Sequence, residues 1–267
     1  MFIPLQDKNE LKHVRLQYVT LGLIIINCLV YVFVNLVGGP DFVNTLAVQL
    51  GYIPAVVNEI EQLPIDLAVI PEELSLISYA FLHADIMHLG SNMIFLWVFG
   101  DNVEDAMGHI RFLIFYLLCA VLGGLAHGLL DPQSTAPLIG ASGAIAGIIG
   151  AYLILHPRVR VWVLVMMRIP LPLPAWIPLL VWIGFQIFML LGGGDEMVSW
   201  AAHVGGFFAG LVLVFLLKRR DVPLFDREIQ TPKAVVTSVP SIKSSGNAEP
   251  EVAVKSQSAS PRAWGRG

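Results

Sequence analysis

Six stretches of the chain are almost continuously apolar over lengths near the roughly 20 residues that carry an α-helix across a bilayer. They cover residues 18–37, 87–103, 110–130, 142–155, 174–191 and 200–217. The second and fourth are short, and the second also carries His88 and Asn92. Residues 159–173 hold Arg160, Arg168, Pro170 and Pro172 and read as an interfacial segment, not a span. The pattern predicts an all-α polytopic membrane protein with six transmembrane helices, organised as an N-terminal segment 1–17, a core 18–217 and a tail 218–267. The long loop 38–86 keeps apolar Val69, Ile70, Leu74 and Leu76, so it is expected to pack on or dip into the membrane. After Asp221 the chain turns to Ser, Pro, Lys and Thr without periodicity, the composition of a disordered tail. No internal repeat is apparent, which argues against an inverted-repeat transporter.

Composition agrees with the membrane reading. Of 267 residues, 56% are hydrophobic and 13% charged, against about 25% charged in soluble domains. A net charge of −4 gives no reason to expect a nucleic-acid partner. Cys28 and Cys119 both fall in apolar runs, so neither a disulfide framework nor a metal knuckle is expected. Polar residues between Gln6 and Gln17 precede the first apolar run, and no cleavable signal peptide is expected.

Charge placement orients the spans. Lys8, Lys12 and Arg15 precede the first; Arg111 lies between the second and third; Arg158, Arg160 and Arg168 lie between the fourth and fifth; nine more follow the sixth. Six spans put all sixteen Lys and Arg on one side. The opposite loops carry only acids: Asp41, Glu59, Glu61, Asp66, Glu72, Glu73, Asp85, Asp131, Asp195 and Glu196. The positive-inside rule then predicts cytoplasmic termini, and the expected location is a bacterial inner (cytoplasmic) membrane.

Polar side chains inside the spans are costly and mark function. Ser142 opens the fourth span within Gly140-Ala141-Ser142-Gly143, and His203 lies one turn into the sixth. His88 and Asn92, four residues apart, share a face of the second. All three spans enter from the acidic side, so these four groups fall at one depth. Gly143-x-x-x-Gly147 and Gly206-x-x-x-Gly210 are small-residue patterns that let the fourth and sixth helices approach closely. A hydroxyl beside an imidazole is an activated nucleophile with its base. No carboxylate lies at that depth, so a dyad is expected. Attack on a peptide develops an oxyanion, for which the Ser142 backbone N–H, the His88 ring and the Asn92 amide are candidate donors. Hydrolysis also needs water, which implies a polar cavity open to the acidic side.

The motif Gly140-Ala141-Ser142-Gly143, the stretch His83-x-x-x-x-His88-x-x-x-Asn92, and Ala202-His203-x-x-Gly206 together resemble the rhomboid intramembrane serine proteases. Gly100-Asp101-Asn102-Val103-Glu104, Gly108 and Arg111 extend the match, which runs from about residue 75 to 217. The resemblance implies a six-helix rhomboid bundle with a membrane-associated first outer loop. It also implies a nucleophilic Ser142, His203 as general base and acid, and oxyanion stabilisation by His88 and Asn92. His83 corresponds to a position near the water-retaining rim, Glu104 and Arg111 to structural loop positions, and Gly140, Gly143 and Gly206 to close-packing positions. The fifth span, with Trp176, Trp182 and Phe185, is similar to the family's lateral gate. The expected partners are transmembrane protein substrates and the lipid bilayer; no cofactor, metal or nucleic acid is expected. Two features depart from the family: the first loop lacks its Trp-Arg pair, and Ala146 stands where some members stack an aromatic ring on the histidine.

Two other readings remain open at this level. One is an inactive rhomboid-like protein that binds membrane clients. The other is a haem- or metal-binding membrane protein using His88, His127 and His203, which would leave Ser142 and Asn92 without a role. A zinc protease would need His-Glu-x-x-His, which is absent.

Overall fold

A computed structural model describes residues 2–165, 168–193 and 198–225. Asp195, Glu196 and the tail beyond residue 225 lie outside the described residues. The chain begins with β1 (Phe2–Asp7), then α1 (Tyr18–Phe33) continued by a π-helical turn (Val34–Gly38), and α2 (Gly39–Leu50). The one-turn helices α3 (Pro54–Val57) and α4 (Ser75–Ser78) lie in the long loop before α5 (Ile86–Met107) and α6 (His109–Leu130). After α7 (Ser142–Leu155) come β2 (Arg160–Val165), β3 (Ile169–Pro174), α8 (Trp176–Gly192) and α9 (Trp200–Leu217).

Each of the six apolar stretches is helical over most of its length. Among the described residues, α6 and α9 are long and apolar enough to cross a membrane by themselves, while α1, α7 and α8 are shorter apolar helices. α5 has 22 residues but carries Asp101, Glu104 and Asp105 in its last two turns. Its ends follow local chemistry. Asp85 is the N-cap, its Oδ1 accepting from the backbone N–H groups of Met87 and His88 at 2.8 Å. Gly108, at φ +80°, stops the helix and lets the chain re-enter as α6.

α7 is the central rod. Every residue from Gly143 to Tyr152 is buried, which its uniformly small and apolar composition permits. It packs against α6 and α9 by backbone contact. A Cβ on Gly206 would lie 2.0 Å from the Gly143 carbonyl oxygen, and one on Gly210 1.9 Å from that of Gly147. Gly123 of α6 also faces the junction, with the Gly143 Cα 3.4 Å from its would-be Cβ. Hydrocarbon tails offer little hydrophobic drive for helix association, so such close packing carries the cohesion. The long loop is held by an antiparallel bridge, Tyr52 to Leu138, and by the Ala55 N–H donating to the Ser134 carbonyl. Those contacts anchor it without the Trp-Arg pair.

The all-α expectation needs one correction: β1, β2 and β3 form an antiparallel sheet in that order. The segment 159–173 therefore contributes a hairpin, and the N-terminal residues pair with it, Phe2 opposite Val165 and Asp7 opposite Val161. Val161 and Val163 are fully buried on one face. Pro170, Pro172 and Pro174 occupy alternate positions of an edge strand, so their missing N–H groups all fall on the side away from β2.

Acids at the basic end of α5 bind the N-terminal arm. Asp105 accepts from the backbone N–H groups of Lys12, His13 and Val14 at 2.6–3.0 Å. Fully buried Glu104 accepts from the N–H groups of Val19 and Thr20 and from the Thr20 hydroxyl, and its Oε1 lies 2.5 Å from His109 Nδ1. It thus satisfies first-turn donors of α1. Asp7 Oδ2 accepts from Tyr152 Oη at 2.6 Å and Asn102 Nδ2 at 2.8 Å. Burial pushes the Asp7 carboxyl up from 3.8 to about 6, partly opposed by its hydrogen bond from Tyr152. Asp101 is the titratable neighbour facing it. The folded chain therefore holds this proton where the unfolded chain has lost it, and stability falls as pH rises from about 4 to 6. Asp7→Asn keeps both acceptor contacts and removes the charge. It is expected to raise the thermal midpoint at pH 7.5, by at most about 3 kcal/mol in stability, with the gain vanishing below pH 4. Equal midpoints at pH 7.5 would disprove this coupling.

Candidate active site

Gly140 stands at φ +121°, a conformation that favours glycine, and its N–H donates to the Tyr79 carbonyl at 2.9 Å. This turn ends the loop and starts α7 at Ser142, whose N–H belongs to the first helical turn and has no partner within the helix. A side chain at Gly140 is also sterically barred: its Cβ would lie 2.6 Å from His88 Nε2 and 3.8 Å from Asn92 Nδ2. The first two turns of α5 are therefore pressed against the turn that delivers the serine.

On the other side of α7, Ser199 caps α9 by accepting from the Ala202 N–H at 3.2 Å. His203 follows in the first turn. Its Nε2 lies 2.8 Å from Ser142 Oγ. Gly143 and Gly206, one and three residues along from these groups, make the backbone contact that sets this distance. Ser142, His203 and His88 are each partly exposed among buried neighbours, so the group of side chains is reachable from outside the bundle.

His203 Nδ1 lies 2.7 Å from Gln186 Oε1 of α8. An amide oxygen can only accept, so Nδ1 carries the proton and Nε2 is the lone-pair nitrogen facing the serine hydroxyl. Sequence reasoning missed Gln186. The signal was present: it is the sole amide in an otherwise apolar helix, the kind of intramembrane polar group that marks function. The dyad expected from the absence of a carboxylate thus has a third side chain at Nδ1. The ring also has aromatic neighbours, Trp182 with centroids 6.0 Å apart at 32° and Trp200 at 6.2 Å edge-on. Ala146, buried in α7, leaves the ring to these tryptophans from α8 and α9.

His83 is buried beside Asn92, whose Nδ2 lies 3.0 Å from His83 Nε2. Its ring meets that of His88 edge-on at 5.1 Å. One amide hydrogen of Asn92 is thereby committed to His83, which orients the other. Ser142, His203, His88, Asn92, His83, Gly140, Gly143 and Gly206 are thus assembled in one place. Glu104 and Arg111 are not. Glu104 lies within α5, where a loop position was expected, and serves α1; Arg111 is exposed near the start of α6 in a recess with Lys218, Arg219 and Arg220. His127 is likewise apart, edge-on to Tyr52 at 6.5 Å.

An acceptor nitrogen 2.8 Å from a hydroxyl can take its proton, and an oxygen so freed is a nucleophile. Comparison with known proteins bears on which molecules carry this arrangement. The chain is 31% identical to Rhomboid protein 1, mitochondrial, of Saccharomyces cerevisiae, over 60% of this chain and 46% of that protein. It is 33% identical to RHOMBOID-like protein 12, mitochondrial, of Arabidopsis thaliana, over 49% of this chain and 43% of that one. It is 43% identical to Rhomboid protease GluP of Bacillus subtilis over 72 residues, 27% of this chain and 14% of that protein. The chain spans about half the length, or less, of the curated relatives it matches. The yeast and Arabidopsis proteins, mitochondrial by name, cover much more of this chain than the bacterial one. That overturns the expected assignment to a bacterial inner membrane with cytoplasmic termini, because the charge asymmetry behind it tells one face from the other without identifying the membrane. A family model described as the Rhomboid domain matches residues 71–220, a stretch that contains every side chain of the cluster. The helical polytopic membrane fold, the serine–histidine pair and this match lead to one conclusion: the chain belongs to the rhomboid family.

Proposed function

We propose that this chain is an intramembrane serine endopeptidase whose core crosses the membrane six times and cleaves transmembrane protein substrates near the acidic face. The observation that carries the proposal is the 2.8 Å contact between Ser142 Oγ and His203 Nε2. His203 takes the serine proton as Oγ attacks the carbonyl carbon, then returns it to the leaving amine; a water repeats the sequence to release the acyl half. The Ser142 N–H, the free Asn92 amide hydrogen and the His88 ring are the donors for the oxyanion. An inactive client-binding relative would have no need of either reacting group, and both are present. A haem or metal reading is disfavoured because both ring nitrogens of His203 are engaged by Ser142 and Gln186. The mitochondrial names of several relatives favour an organelle membrane as the location.

The test uses purified protein in liposomes with a single-span reporter. Cleavage within or next to the span is expected, blocked by a fluorophosphonate that becomes attached to Ser142 and untouched by chelators. Cleavage that continues with Ser142 fully modified, or that chelators abolish, would refute the serine mechanism.

A further inference from the structure

α8 touches the rest of the bundle along a narrow seam. Pro178, Leu179, Ile183 and Gln186 are its buried residues. Leu179, Ile183 and Gln186 recur at four- and three-residue intervals, one helical face, with Pro178 at its edge. Val181, Phe185, Phe188 and Leu191 are more than half exposed, as suits side chains that meet lipid. Three of the four seam residues are apolar. The fourth, Gln186, is 5% exposed and spends its amide oxygen on His203 Nδ1. Burying an amide in such a seam costs stability unless the hydrogen bond is made, so apolar packing alone does not explain a glutamine here.

The imidazole makes the choice of partner consequential. Neutral histidine has two tautomers, and only the one protonated at Nδ1 offers a lone pair to Ser142. The bond to Gln186 selects that tautomer and also fixes the ring's rotation about its χ2 axis. An amide does this without placing a negative charge at a depth where charge is costly. We propose that Gln186 is the positioning residue for His203: it holds the ring in the base-competent tautomer, and does so only while α8 is seated on α9. The proposal rests on the serine-protease reading and adds to it a dependence of the base on a second helix.

Three variants and two readouts test it. Gln186→Leu preserves the volume of the seam and removes the acceptor. It is expected to lower kcat by about 10- to 100-fold, the usual cost of losing an orienting partner, with KM for the reporter unchanged. Gln186→Glu restores an acceptor and, once ionised, favours the protonated ring. It should recover activity relative to Leu and move the acidic limb of kcat/KM to higher pH. His88, the other titratable ring near His203, is unchanged in both, so the shift reports on position 186. Ser142→Ala in the same liposomes shows whether the cleavage being measured is the serine reaction. The second readout needs no cleavage: in 15N-histidine spectra of the wild type, His203 Nδ1 should be the protonated nitrogen, and in Gln186→Leu the two tautomers should mix. A Leu variant with wild-type kcat or an unmixed tautomer, or a Glu variant whose acidic limb stays as in wild type, would overturn the proposal. Wild type inactive but locked at Nδ1 would instead count against the protease reading alone.

Discussion

Ser142→Ala is expected to lower kcat for a transmembrane reporter by roughly 10⁴- to 10⁶-fold, the range found when a serine nucleophile is removed from a working Ser–His pair. That is about 5 to 8 kcal/mol of transition-state stabilisation. The size of the loss follows from the unit nature of the site. Without Oγ, His203 has no proton to take, and the oxyanion donors have no covalent intermediate to hold. Stability should barely change, because the substitution removes one partly exposed hydroxyl and one hydrogen bond, worth about 1 kcal/mol. The measurement is kcat alongside the thermal midpoint in the same detergent. A variant that cleaves within tenfold of wild type would exclude Ser142 as nucleophile.

The second large effect is structural. Gly210→Val is expected to destabilise the fold by about 4 kcal/mol or more, the size reserved for overpacking that no side chain can relieve. The obstruction is backbone: a Cβ at this position would lie 1.9 Å from the Gly147 carbonyl oxygen and 2.6 Å from its Cα. Neither can step aside unless α7 and α9 separate. Gly210 lies two turns from His203 and touches no reacting group, so lost cleavage would report the separation of Ser142 from its base. Gly184 of α8 is the control. Nothing lies within 4 Å of its would-be Cβ, and Gly184→Ala should leave both stability and cleavage near wild type. Unfolding of the three proteins in mixed detergent decides the matter; equal stability of Gly210→Val and wild type would mean the helices are not in backbone contact.

Much of this was legible because the bilayer simplifies the code. An apolar run long enough to cross must satisfy its own backbone, so helix follows from composition. α7 and α9 begin and end where the apolar pattern does, at Ser142, Leu155, Trp200 and Leu217. The small-residue spacing anticipated which helices touch: a Cβ at 206 or 210 would meet the backbone of Gly143 or Gly147 at 2.0 Å or less. Span direction also led to the expectation that Ser142, His203, His88 and Asn92 meet, and the four side chains do lie together.

What escaped was of a different kind. β1 pairs with β2 across more than 150 residues of chain, a contact without local signature. The alternating prolines of β3 read as anything but a strand, and they are tolerated because they lie on an edge. Glu104 looked like a loop residue because its partners, the first N–H groups of α1, lie 84 and 85 residues away. Gln186 was a lone polar residue whose meaning depends on the atom opposite it.

By itself the sequence determined the helices, their likeness to one family, and the polar side chains that form the candidate site, because apolar runs and polar groups within them are properties of residues and their spacing. Only the tertiary structure decided that the serine and the imidazole lie 2.8 Å apart, that an amide from α8 chooses the tautomer, and that the N-terminal arm closes a sheet beneath the bundle's basic end. Those are distances between segments remote in the chain, and a hydrogen bond exists only where packing brings both partners to it.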